Sequence, residues 1–343
     1  MKIIVTGGCG FVGSALCLFL SKNLPNSTIL SIDNLSKIYS KFNQKILKKH
    51  KIQNKIVDLG KFNCLKSIKF KSDFIIDCSA EPAVEISKKN ISKVISSNFL
   101  STHNILEKTK IDNSKLIFIS SSRVYPIKNS YEKFKKYKKN KKHLPYSETE
   151  DFTRQKTIYG FTKYSSEKLI EEYNYSCNLK YIINRCGLIS GPGQYGKVEQ
   201  GLVSLWLWRH MNKLSLKYLG YNGKGEQIRD VLFIDDLCEL ILKQIKSYHI
   251  FQNNLFCIGG GLKNSINLKN LTRICEKLTN NKVKITNNMS TSIYDIPYYV
   301  TSLQKIKKFT KWEPKISLNE GMEITYNWTV SYTHLTLPTM YTV

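Results

Sequence analysis

The chain has 343 residues, enough for one large α/β domain with a smaller companion lobe or for two modest domains. Hydrophobic residues make up 41% and aromatics 11%, which excludes global disorder. The net charge of +27 raises nucleic acid, an anionic membrane or a polyphosphate as partners, but only six of the 53 basic residues are Arg and the lysines are spread along the chain, a compositional bias more than a binding face.

The first half alternates short apolar runs with longer helical patterns, which predicts a parallel sheet with crossover helices. Strands are predicted at 2–6, 28–32, 55–57, 73–78, 115–120 and 181–184, and helices near 11–23, 91–109 and 159–176. The segment 127–144 breaks periodicity, carries the lysine run 135–142, and is predicted as a long surface loop. After Arg185 the pattern changes, with a turn signal at Gly191-Pro192-Gly193. A helix at 199–211 around Leu205-Trp206-Leu207-Trp208, a strand through 227–231, and helices near 235–247, 267–279 and 318–328 follow. Residues 329–343 show no helical period and read as a foreign tail, similar to translated adapter or vector sequence.

Nine cysteines occur without a CxxC pair or a His cluster at metal spacing, so no metal site is expected. Apolar runs fall short of the roughly 18 residues of a membrane span, and the start resembles a strand rather than a leader. Free thiols without an export signal predict a cytoplasmic protein that does not contact a membrane.

The first strand leads into Thr6-Gly7-Gly8-Cys9-Gly10-Phe11-Val12-Gly13. Gly7 suits a tight turn, Gly10 a close approach of backbone to pyrophosphate, and Gly13 the packing of helix on strand. The helix opening at Phe11 and Val12 would aim its N–H groups and positive dipole end at phosphates. An ordinary glycine-rich βα turn is the alternative. Asp33, followed by Asn34, ends the second strand, where a carboxylate accepts from ribose hydroxyls and repels a 2′-phosphate. This favours NAD over NADP, although Asp33 could also serve as a helix N-cap. Asp58 and Leu59, after the third strand, are candidates for the adenine edge, and Ser79-Ala80-Glu81-Pro82, after the fourth, for the cofactor's other side.

Tyr159 and Lys163, four residues apart, share one helix face. A phenol that takes a proton near neutral pH needs its value of about 10 lowered, and a neighbouring ammonium and a positive nicotinamide ring would both do so. A chain rich in Lys and Tyr produces such surface pairs by chance. Here the pair follows the glycine turn and the strand end Ser120-Ser121-Ser122.

Together, these motifs and Val124-Tyr125 resemble the extended short-chain dehydrogenase/reductases that modify nucleotide sugars, over residues 1–328. The resemblance implies a Rossmann-type doubly wound parallel sheet in an α/β fold, with a smaller C-terminal α/β substrate lobe. Residues 1–184 would bind NAD, with 231–258 returning to that domain, and 185–230 with 259–328 would form the substrate lobe. Ser121 would orient the substrate alcohol, Tyr159 would be the base, Lys163 its partner, and Asn98 would lie near the cofactor.

The stretches at 121–125, 184–196 and 223–231 resemble the subfamily of CDP-paratose 2-epimerase. This implies an NAD-dependent epimerase that inverts C2 of a CDP-linked deoxyhexose through a keto sugar. Substrate contacts would come from Glu81, Ser122, Arg123, Asn184, Arg185 and Arg229; for Arg229 the alternative is a surface ion pair. Related 4,6-dehydratases carry Asp-Glu where this chain has Ser122-Arg123, which favours epimerisation over elimination. Another nucleotide-sugar reaction on the same scaffold, or a non-catalytic RNA-binding relative, remains a rival. The expected partner is a nucleotide-diphosphate sugar and not nucleic acid, and the family's habit implies a homodimer through the helices near 91–109 and 159–176.

Overall fold

The computed structural model describes residues 1–82, 90–195 and 201–336. Its large sheet is built from short aliphatic runs: β1 (Lys2–Thr6), β2 (Thr28–Asp33), β3 (Gln53–Ile56), β4 (Phe74–Asp77), β5 (Lys115–Ser121), β6 (Lys180–Cys186) and β10 (Asn254–Ile258). They pair in parallel in the order β3-β2-β1-β4-β5-β6-β10. Apart from the polar, exposed edge strand β3, these strands are largely buried on both faces, which is why they read as continuous apolar runs.

Ile3, Val5, Ile76 and Ile117 point to one side, against α1 (Phe11–Asn23) and α8 (Ile234–Lys246). Ile4, Ile75, Leu116, Phe118 and Ile183 point to the other, against α4 (Ser101–Asp112) and α6 (Ile158–Cys177). The chain order reverses between β1 and β4, and a crevice opens beyond the carboxyl ends of strands at such a point. This is the Rossmann-like α/β fold expected.

A second layer covers that crevice. β9 (Ile228–Phe233) pairs with β7 (Leu188–Ser190), β11 (Ser265–Asn267) and β13 (Tyr298–Tyr299), while β8 (Leu216–Leu219) pairs with β12 (Ile285–Asn288). α7 (Leu202–Met211) and α10 (Leu268–Thr279) pack behind them through Trp206, Leu207, Leu271 and Cys275. β9 stays in this small sheet to Phe233, and α8, which starts at Ile234, packs back against the large sheet together with Leu232.

Three elements differ from expectation. The predicted loop at 127–144 is mostly the helix α5 (Ile127–Asn140). Ser130 and Phe134 are buried, and Tyr137 stacks towards Tyr298, a 3–4 spacing that the interleaved lysines obscured. The helix at 38–49, α2 (Ile38–Lys49), was also not predicted; its polar inner positions Ser40 and Asn43 hide the amphipathic pattern. α12 (Leu318–Thr336) runs past residue 329, where the sequence period stops. Its first half is docked through Met322 and Thr325, and each further residue then costs little to add. Residues 199 and 200 of the predicted helix 199–211 and the final residues 337–343 lie outside the described residues. α3 (Ile91–Ile95) runs through a π-turn (Ser96–Leu100) into α4. Among the described residues, no helix is long and apolar enough to cross a membrane.

Candidate functional site

A cleft of about 1190 Å³ lies between the sheet's carboxyl edge and the second layer. Its floor is the turn from β1 into α1. Gly7 has φ +60°, and a Cβ there would stand 2.8 Å from the Cys78 carbonyl oxygen on β4's exit. A Cβ on Gly13 would lie 2.2 Å from the Gly7 oxygen. The Gly10 amide donates to that same oxygen at 2.9 Å, closing the turn. No side chain caps the first turn of α1, so its N–H groups face the cleft beside Phe11 and Val12.

Asp33 and Asn34 form the next wall. Asp33 accepts from the amides of Cys9 at 3.1 Å and Leu35 at 2.8 Å, while burial pushes its carboxyl up. Asp58 and Leu59 line the cleft further along, Asp58 accepting from the Gly60 amide at 3.1 Å. Ser79, Ala80 and Glu81 line the opposite side. Glu81 is not a free carboxylate, however: Lys37 holds both its oxygens at 3.0 and 2.8 Å, and Lys93 stands 3.8 Å away. It lines the cleft as one member of an ion pair.

Tyr159 and Lys163 come from the first turns of α6, and Ser121 and Ser122 from the end of β5; all four line the cleft. Thr157 caps α6 by accepting from the Gly160 amide at 2.9 Å. Gly160 brings the helix against the strand end, because a Cβ there would be 2.0 Å from the Arg123 carbonyl oxygen. Burial raises the Tyr159 phenol, opposed by the adjoining Ser121 hydroxyl and the Arg123 guanidinium. This direction is opposite to the one expected from sequence. Lys163 lies 3.8 Å from the centre of the Phe118 ring, and burial pushes its ammonium down, opposed by Asp77 and Glu167.

Arg123 and Arg229 face the cleft from its two sides. Arg123 donates to the Tyr294 carbonyl at 2.9 Å, and burial followed by the charge of Arg229 brings it down to about 10. Arg229 donates to the carbonyls of Ile228 and Ile296 and stands 3.8 Å from Asp295. Two guanidinium groups lining one cleft make it attractive to an anion.

A sequence model of the NAD dependent epimerase/dehydratase family matches residues 3–259. The chain belongs to that family. CDP-paratose 2-epimerase of Salmonella typhi is 27% identical, over 96% of this chain and 100% of that protein. UDP-glucuronate 4-epimerase of Thermodesulfobacterium geofontis is also 27% identical, over 95% of each. The crystal structure of a UDP-glucose 4-epimerase from Thermotoga maritima with UDP-glucose shares the fold, with a TM-score of 0.82 and 24% identity over 97% of this chain and all of that one.

Three predicted site residues of this epimerase/dehydratase do not face the cleft. Asn98 is buried in the π-turn; it accepts from the Glu81 amide at 2.8 Å and donates to Thr162 at 3.1 Å. It ties the 79–82 loop to α6. Asn184 exchanges two hydrogen bonds, at 2.9 and 2.8 Å, with Gln244. Arg185 is buried against Glu167 at 2.7 to 3.0 Å. Both stand on β6 inside the sheet, where an unpaired polar group would be costly, so each is committed to an internal partner. Sequence reasoning missed Gly160. Its signal was a glycine inside a helix, about 1 kcal/mol worse than alanine there, directly after the candidate base.

Proposed function

We propose that this protein is an NAD-dependent nucleotide-sugar epimerase that inverts C2 of a CDP-linked deoxyhexose by way of a keto sugar. The carrying observation is Tyr159 set against Ser121 and Arg123 in the same cleft as the glycine turn. The cradle fits NAD: its glycines leave space that a Cβ would fill, and Asp33 stands ready for ribose hydroxyls. Gly10, Phe11, Val12 and Gly13 would hold the pyrophosphate, Asp33 and Asn34 the adenosine ribose, Asp58 and Leu59 the adenine, and Ser79, Ala80 and Lys163 the nicotinamide half. NAD, when bound, supplies a reversible two-electron oxidation of a sugar alcohol.

Tyr159 takes the alcohol proton and later returns it, with Ser121 orienting the hydroxyl. Arg123 favours the phenolate against the penalty of burial. Arg123 and Arg229 grip the anionic part of the substrate. Ser122-Arg123 provides no carboxylic acid to expel water, which supports epimerisation over dehydration. The choice of C2 and of cytidine rests on the resemblance of the 121–125, 184–196 and 223–231 stretches and on the Salmonella typhi relative, while a 4-epimerase at the same identity makes position 4 the competing outcome.

We assign residues 1–184 and the returning 231–258 to the NAD domain, and 185–230 with 259–328 to the substrate lobe. Exposed Ile91, Ile95 and Phe161 fit a face between two copies, and sedimentation in solution should then return the mass of a dimer. The free thiols suit the cytoplasm. The test is to follow CDP-paratose in heavy water by NMR. Tyr159→Phe is expected to lower turnover by about 10²- to 10⁴-fold, and full turnover by that variant would refute the assignment.

A further inference from the structure

We propose that Asp77 is a positioning residue for Lys163: its uncommitted carboxylate oxygen is the counter-charge that fixes the buried ammonium over Phe118. The proposal rests on the reading of Lys163 given above. Asp77 ends β4 and pairs in register with Phe118 on β5, and in-register residues of parallel strands project to the same face. That face carries α6, whose Lys163 lies 3.8 Å from the Phe118 ring centre. Asp77 and Lys163 thus lie on the same face of the sheet, either side of Phe118's place in the register, without direct contact.

The two oxygens of Asp77 have different surroundings. Oδ1 accepts from the Thr6 hydroxyl at 2.7 Å, the Ser79 amide at 2.8 Å and the Ser79 hydroxyl at 2.6 Å. Oδ2 is buried and has no hydrogen-bond partner among the described residues. A buried, unpartnered carboxylate oxygen is costly unless a charge answers it. The groups facing Lys163 are Asp77 and Cys78 from β4's end, Glu167 from its own helix and Cys186 from β6. Burial pushes both thiols up, which leaves them neutral. Glu167 is already bound to Arg185 at 2.7 Å and to the Ser120 hydroxyl at 2.5 Å. Asp77 is therefore the uncommitted anion that opposes the desolvation of Lys163.

Asp77→Asn separates the two roles of the side chain, since an amide oxygen can still accept from Thr6 and Ser79 while the charge is lost. In protein labelled with ¹³C at lysine Cε, with the Lys163 signal assigned through Lys163→Arg, its titration midpoint should fall by about one pH unit or more. Thr6→Val and Ser79→Ala, which touch only the Oδ1 side, should leave that midpoint in place. An unchanged midpoint in Asp77→Asn, or an equal shift in the two controls, overturns the proposal. Should Asp77→Asn titrate poorly, urea melts of Lys163→Met, Asp77→Asn and the double variant give a second reading. Lys163→Met should lower the midpoint and Asp77→Asn should restore part of it; strictly additive effects overturn the proposal. Neither measurement uses turnover, so a fully active Tyr159→Phe enzyme would defeat the catalytic reading and leave this one standing.

Discussion

Replacing Gly160 with Ala tests whether the base is placed by backbone contact. The added methyl would sit 2.0 Å from the Arg123 carbonyl oxygen and 2.9 Å from its carbonyl carbon. α6 and the 121–124 turn must then part by about 1 Å, a displacement of the size that costs about 100-fold when reacting groups are involved. Tyr159 would move with the helix and Ser121 with the turn. Overpacking costs about 1–3 kcal/mol, and the better helix propensity of alanine returns about 1 kcal/mol. Stability should therefore fall by at most about 2 kcal/mol, a shift of no more than a few degrees in Tm. The NMR assay should show kcat down about 100-fold, while NAD binding followed by fluorescence persists because the Gly7 turn lies on another strand. A variant with undiminished kcat and an intact melt would refute the reasoning.

Glu167→Gln leaves the buried Arg185 guanidinium uncompensated and should cost about 3–5 kcal/mol in urea melts. Pairing it with Arg185→Met should recover much of that loss; a cost below about 1 kcal/mol would deny the pair its structural weight. Asp230 is raised to about 6 by burial, so its contribution to stability is complete below the unfolded value of 3.8 and is lost as pH rises through 6. Asp230→Asn can still accept from the amides of Gly261 and Thr301. It should remove that slope and stabilise the protein at pH 7 by up to about 3 kcal/mol; melts between pH 4 and 7 that keep the parent's slope would show that another group is responsible.

What the sequence revealed was local geometry. The glycine turn, Asp33 and the Tyr159–Lys163 spacing are each set by a single strand–turn–helix or helix unit, so their residue types are visible without knowing the tertiary structure. Arg185 and Asn184 were not legible in the same way. They lie in a motif that resembles a substrate-binding stretch, but their side chains are claimed by Glu167 and Gln244, which come from other elements and cannot be read from the motif. The direction of the Tyr159 shift was missed for the same reason: spacing puts an ammonium on its helix face, while the sheet beneath draws that ammonium toward Phe118. The helix at 127–140 was hidden because lysine outnumbers the few inward positions that define it.

The contact at Gly160 is made by the carbonyl of residue 123 and not by its side chain. Any amino acid can offer that carbonyl. Evolution is thereby free to exchange the side chain that residue 123 presents to the cleft, a guanidinium here, without disturbing where the phenol stands. Placement of the base and choice of reaction are held by separate parts of one residue, which lets a single scaffold change chemistry one substitution at a time.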